Sequence, residues 1–353
     1  MAYECTIVAD SVTSRGHRIT TMVITLPRIM LAEFNTHRDF SRNSGSSRAI
    51  PVKTQMKALL NDTFVPTEFG TAIPRMNAGP KLEGDKHDQA VAVWNDAAKE
   101  QVLAALRLTT SPGYVKREWE RWVEQRNDNF EEFVLDVIDR INDKEHHIHD
   151  LKSLLWATKG LTNRLLETFM WHTVIVTATE WDNFFNLRTD DNAQLEIRII
   201  AGMMKEAYAA STPALLHEGE WHLPFIQEHE LEWAKENPLD AVKAVTARCA
   251  RVSYLTHDKK VIDLSADFRL ADSLAASGHM SPFEHAATPI PDKEWNVRMK
   301  MASVAREAYM AQELEAHVVE QLVNRMEFSG NVRGFAQARR DQNNHSVFMP
   351  ATV

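Results

Sequence analysis

The segment at positions 35–48, NTHRDFSRNSGSSR, concentrates the chemistry-bearing residues of the chain: His37, Arg38, Ser41, Arg42, Asn43, Ser44, Gly45, Ser46, Ser47 and Arg48. An arginine offers a planar fork of N–H donors matched to a phosphate, while serine hydroxyls and loop amides add short-range donors. Gly45 lets the backbone come close to a bound anion. The segment therefore suits an anion site, although a solvated Ser/Arg-rich turn has the same composition. Arg164 and Arg188 stand at the edges of apolar helical patterns. Arg188 follows FFNL, where a cation beside a buried stripe needs a partner or a ligand; a surface arginine with an apolar stem in contact is the plainer alternative. Residues 278–285, GHMSPFEH, place His279 and His285 around a glycine turn. Either is a candidate ligand or proton donor, or simply a hydrogen-bonded turn histidine.

Other chemistries are argued against. His146, His147 and His149 follow a polar helix end without a His-Glu-x-x-His pattern, so they read as solvated and no metal site is expected. The two cysteines, Cys5 and Cys249, lie away from these segments. They cannot build a disulfide framework, and Cys249 sits in an apolar helical pattern as a small buried hydrophobe. No Walker or Rossmann glycine loop is present. With 40 Lys+Arg against 49 Asp+Glu, the net charge of −9 disfavours nucleic acid or an anionic membrane as the main partner. The first residues, MAYECT, show no secretory signal, and no apolar run nears the roughly 20 residues needed to span a bilayer. A reducing, cytoplasmic setting is expected.

The elements that must position these residues follow from periodicity and breakers. Residues 20–26 are β-rich, and Pro27 starts a short helix to about 34. A glycine- and proline-rich connection covers 64–84. Helical spacing runs over 86–108, 115–142, 160–170, 180–187 and 193–210, with a β-branched strand at 173–179 and Thr189 or Asp190 as an N-cap. Residues 213–238 have weak periodicity and read as a connection. Helical pattern returns at 239–251, 263–276 and 294–326, and 328–339 suits a strand. Many helices and few strands imply an α+β fold.

Together these segments resemble the flavin-dependent thymidylate synthases, the ThyX family. Its signature Arg-His-Arg-x-x-Ser-x-Asn-Glu-x-Ser-x-Arg-Tyr is similar to residues 36–49 at six of nine fixed positions, with Thr36, Ser44 and Ala49 departing. Residues 250–254 (ARVSY) and 278–285 (GHMSPFEH) resemble two further family segments. So does the helix pattern NFFNLR…AQLEI at 183–197. The order differs from typical members, because the segments at 250–254 and 278–285 follow the loop instead of preceding it. This resembles a circular permutation, a layout expected of phage-encoded members, which would act in the host cytoplasm.

The resemblance implies a twisted, mainly antiparallel sheet flanked by helices. It divides the chain into a core at 1–212 (with 50–155 largely inserted or diverged helices), a connection at 213–238 and a permuted flavin-binding segment at 239–353. It implies FAD held by His37, Arg38, Asn183, Asn192 (in place of a family histidine), Ser253, His279 and Ser281. The nucleotide phosphate would lie on Ser46, Ser47, Arg48 and Arg164, and Arg188 would contact the pyrimidine and act catalytically on its developing charge. The implied reaction transfers a one-carbon unit from methylenetetrahydrofolate to C5 of dUMP, with NADPH as reductant, in a homo-oligomer (dimer or tetramer) whose subunits share active sites. The three departures keep a 5-hydroxymethyl product or a dCMP substrate as an alternative. A catalytically silent nucleotide- or nucleic-acid-binding relative is the third reading.

Overall fold

A computed structural model describes residues 3–74, 78–124, 129–142, 155, 157–252, 263–311 and 315–339. The chain opens with two long antiparallel strands, β1 (Glu4–Thr13) and β2 (Arg18–Pro27), joined by a turn in which Gly16 takes a positive φ of 85°. β1 lies outside the strand read from the sequence. Its polar, half-exposed residues mask the alternation, and pairing with β2 supplies what propensity does not. After Pro27, a 3-10 turn (Arg28–Met30) runs into the short helix α1 (Leu31–Phe34). The polar loop then delivers β3 (Ser41–Ser44) to the sheet.

Four helices follow: α2 (Val52–Asn61), α3 (Asp85–Thr109), α4 (Pro112–Glu124) and α5 (Phe130–Asn142). The single helical pattern over 115–142 is thus two helices, folded against each other so that Trp119 and Trp122 meet Phe133. They bury Val102, Leu106, Phe133 and Val137 in a cluster of their own that reaches Leu166 and Phe169. The pattern at 160–170 breaks into α6 (Lys159–Thr162) and two 3-10 turns, Asn163–Leu165 and Glu167–Phe169. These lead into β4 (Trp171–Ala178), then α7 (Asp182–Arg188) and α8 (Leu195–Ala210). Neither Thr189 nor Asp190 caps α8. Gln194 holds that position without a side-chain bond, and Asp190 instead accepts from the Asn192 backbone and amide.

β5 (Ala214–Leu216) closes a five-stranded sheet of order β3-β4-β2-β1-β5. Every pairing is antiparallel except β1 with β5, so the fold is α+β with a mainly antiparallel sheet. One face of this sheet packs on α7 and α8 through Met22, Ile24, Val174, Val176, Trp181, Phe184 and Ile197. The opposite face receives α9 (Leu231–Glu236) with α10 (Pro238–Val252) and α11 (Leu264–Ala276); Ile175 of β4 meets Cys249 and Val252 there. Asp263 caps α11 by accepting from Ser265 N. β6 (Ala287–Pro289), α12 (Asp292–Met310) and α13 (Ala316–Glu327) complete the helices, and β7 (Phe328–Ser329), β8 (Val332–Arg333) and β9 (Phe335–Gln337) complete the strands. The strand read at 328–339 is broken by Gly330 and Gly334, both at positive φ. At Gly334 a Cβ would sit 2.3 Å from the His17 ring, so this turn is tied to the β1–β2 turn.

Candidate active site

β3 is an edge strand, and the polar loop that carries it leaves functional groups at both ends. At its far end, Gly45–Arg48 turns over the start of α6. Asn163 Nδ2 donates to the carbonyls of Ser47 (2.8 Å) and Ile50 (2.9 Å), and Lys159 Nζ reaches the Ala49 carbonyl. Gly160 matters here, since a Cβ at that position would come within 2.9 Å of Arg48 Cγ. The result is an open cleft of about 490 Å³ edged by Ser44–Arg48, Arg28, Arg164 and Glu167. Arg48 and Arg164 are exposed, and neither guanidinium has an acidic partner among the described residues. Two guanidiniums on one cleft with serine side chains, neither paired with an acid among the described residues, suit an anion by charge and donor type.

The inner wall of the cleft comes from residues that sequence reading did not single out. Arg28 donates to Glu167 Oε1 (3.3 Å), to the Gly45 carbonyl (3.4 Å) and to His172 Nδ1 (3.1 Å), and the Ser47 hydroxyl donates to the same Glu167 oxygen. Burial, then the neighbouring Arg28, push His172 down to about 3, so its ring is neutral. Behind this wall lies a second, largely apolar cavity of about 390 Å³, walled by Ile50, Leu59, Met170 and Trp171. Arg28, Gly45, Ser47 and Glu167 border both spaces. Nothing local in the sequence marks Arg28 or Glu167, because they lie 17 and 120 residues from the loop residues they bond, Gly45 and Ser47, and only the fold joins them.

Arg188 stands at the near end of β3. Its Nε donates to His37 Nε2 (3.0 Å), Nη1 pairs with Glu33 Oε2 (3.1 Å) and Nη2 donates to Thr36 Oγ1 (3.1 Å). Burial first, then Arg188 and Arg42, lower His37 to about 4, which keeps its ring neutral and able to accept from Arg188. The imidazole packs on Phe40 and Phe184, and Arg42 donates to the carbonyls of Phe34 and His37. β3 lies between the two groups along the chain. Ser46, Ser47, Arg48 and Arg164 thus share one cleft, and Arg188 does not border it.

Residues 278–285 reach the sheet through the 3-10 turn Ser281–Glu284, which packs on β3. Gln337 clamps it by donating to Ser41 Oγ (2.8 Å) and the Glu284 carbonyl (2.8 Å). His285 is fully buried with Nδ1 bonded to Thr177 Oγ1 at 2.8 Å. That hydroxyl meets Thr21, which meets His222, which meets Ser11, a buried polar chain running across three strands. His279 and Ser281 are exposed, as are Arg38 and Asn183, and their side chains make no hydrogen bond or ion pair among the described residues. Asn192 is exposed and bonded to Asp190. Arg38, His279 and Ser281 each carry donors of the type that a pyrophosphate accepts. Ser253 and the histidines at 146, 147 and 149 lie outside the described residues. Among the described residues no cluster of metal-ligating side chains occurs, and no helix is long and apolar enough to cross a membrane.

A mainly antiparallel sheet whose edge strand carries an open, arginine-lined cleft defines an α+β protein with a cationic cleft. Over residues 15–214 the chain matches the model of the thymidylate synthase complementing protein family (Thy1). The chain belongs to that family, and it is a thymidylate synthase-like methyltransferase of pyrimidine nucleotide C5. The segments at 250–254 and 278–285 fall outside the matched span. Among solved structures it is similar to a UMP/dUMP methylase, PolB from Streptomyces cacaoi, bound with 5-Br UMP, at 14% identity and a TM-score of 0.36, covering 59% of this chain and 89% of that one. The same methylase bound with 5-Br dUMP aligns at 16% identity and a TM-score of 0.28, over 55% of this chain and 66% of that one. Among curated proteins none matches. Family membership therefore rests on the match over 15–214.

Proposed function

We propose that the chain transfers a one-carbon unit from methylenetetrahydrofolate to C5 of a pyrimidine deoxynucleotide, in its simplest form converting dUMP to dTMP. The observation that carries this reading is the pair Arg48 and Arg164, unneutralised across a Ser-Gly-Ser-Ser loop in a member of this family. Ser46 and Arg48 hold the phosphate together with the backbone N–H of Ser47, whose hydroxyl serves Glu167, and Arg164 is the second guanidinium. Arg188 bonds the pyrimidine ring and stabilises the negative charge that develops there, an interaction made stronger by prior orientation. Glu33, Thr36 and neutral His37 fix that orientation. Because Arg188 is anchored away from the cleft, one nucleotide meets both groups when they come from different subunits of a homo-oligomer.

His37, Arg38, Asn183, Asn192, Ser253, His279 and Ser281 would hold FAD. Bound there, the flavin supplies the reducing electrons of the reaction, drawn in turn from NADPH. The contacts of Ser281–Glu284 and Gln337 with β3 support the C-terminal third as the permuted flavin-binding segment of one fold with the core. A second reading, a 5-hydroxymethyl product or a dCMP substrate, is favoured by Thr36 and Ser44. The first bonds Arg188 directly, and the second borders the phosphate cleft. An anaerobic assay with FAD, NADPH and methylenetetrahydrofolate, offering dUMP and dCMP separately and weighing the product, tests both. Methylated dUMP is the expected product. A hydroxymethyl product or turnover of dCMP alone establishes the second reading, and no turnover of either removes both.

A further inference from the structure

Glu167 places a carboxylate on the inner wall of the anion cleft, where it occupies two donors, the Ser47 hydroxyl and Arg28 Nη2. It faces the same space as Arg48 and Arg164. The formal charge of the border is three arginines less one glutamate, a net of +2. A phosphate monoester carries about two negative charges at neutral pH, whereas a diphosphate or triphosphate carries about one or two more. We infer that Glu167 determines specificity for the nucleoside monophosphate: it caps the cleft after one phosphate and repels a second. This rests on the reading of the cleft as the phosphate site.

Two physical terms act in the same direction. The carboxylate removes Ser47 and Arg28 from the donors open to a further phosphoryl group, because both already serve Glu167. It also sets a like charge beside the place where that group would lie, a repulsion that the partly enclosed inner wall screens less than open water does. A purely structural glutamate would pin Arg28 to the loop and leave ligand charge unread. The two roles separate in the substitution Glu167→Gln, which keeps the shape and an acceptor for Ser47 while removing the charge.

The test is calorimetric titration of dUMP and dUDP into the full chain, the Glu167→Gln variant and the Arg48→Ala/Arg164→Ala double variant. The wild type binds dUMP more tightly than dUDP, and Glu167→Gln narrows or reverses that ratio by roughly tenfold, mainly by tightening dUDP. An unchanged ratio in Glu167→Gln, with dUMP binding still lost in the double arginine variant, overturns the role of Glu167 alone. If dUMP binds equally well to the double arginine variant, the phosphate site itself is misplaced and both readings fall. Should Glu167→Gln melt several degrees lower, Glu167→Asp supplies the second variant: it keeps the charge and must keep the wild-type ratio.

Discussion

Individual side chains divide the site's work between two kinds of arginine. Arg48 and Arg164 are exposed on the cleft and have no acidic partner among the described residues, so their charge is available to a ligand. Arg188 is committed through three donors to Glu33, Thr36 and His37, which makes it an oriented group rather than a reaching one. Truncation should separate them. Arg48→Ala or Arg164→Ala is expected to raise KM for the nucleotide by about 10- to 100-fold with a smaller change in kcat, as loss of a charge-assisted contact of about 1.5–3 kcal/mol predicts. Arg188→Ala is expected to lower kcat by 10²-fold or more, because an electrostatic contact to developing charge is lost. Steady-state kinetics with dUMP decide the matter, and equal effects on KM from all three would refute the division.

Elements hold these residues through a few specific junctions. Arg248, 2% exposed, binds both Glu230 oxygens at 2.6 and 2.7 Å and Asp267 at 3.1 Å, locking α10 and α11 to the turn before α9. Removing the cation leaves two buried carboxylates with less compensation, so Arg248→Met is expected to cost about 3–5 kcal/mol, read as a fall in the urea midpoint. A fall below 1 kcal/mol would mean that the carboxylates find water or protonate at little cost. Gly334 fastens β8 and β9 over the β1–β2 turn at φ 74°, against the His17 ring. Gly334→Ala combines left-handed strain with a clash and should destabilise by about 1–3 kcal/mol, while Ala in place of half-buried Gly202 in α8, with open space around its Cβ, should stabilise by about 0.5–1 kcal/mol. Comparing the two melting temperatures tests whether the positive φ or the loss of glycine itself matters.

At the scale of the molecule, the sheet is sealed on its second face by a chain of buried histidines and hydroxyls. His222 and His285 are fully buried and held at about 3, chiefly by burial, and His172 joins them at about 3. Each is neutral when folded and protonates near 6.5 when unfolded, so the unfolded state binds more protons between those values. Stability is therefore complete above pH 6.5 and is lost as pH falls toward 3, with a slope of up to about 1.4 kcal/mol per pH unit for each histidine. Urea denaturation at pH 7.5, 6 and 5 should show this, and His285→Asn should flatten the slope; identical slopes would assign acid lability to other groups. The separation of Arg188 from the cleft leads to a second expectation. Mixed oligomers of an Arg48→Ala chain and an Arg188→Ala chain should regain activity that neither has alone, and no recovery would place both groups in one subunit's site.

Local chemistry was legible in the sequence. The donor-rich loop at 36–48, the helices at 85–109 and 195–210 and the strands around 20–26 and 173–179 all follow from residue type and period, which act over a few neighbours. What sequence could not supply was whatever depends on closure of the chain. β1 became a central strand because β2 and β5 pair with it, and the run at 115–142 split because its aromatic face turns back on itself. Arg28, Glu167 and His172 entered the site across 17 to 144 residues of chain, and Arg188 meets Glu33 and His37 across more than 150. A side chain's type fixes what it can bind, but its partners depend on which strands meet, and that is set by burial of the whole sheet rather than by any one segment.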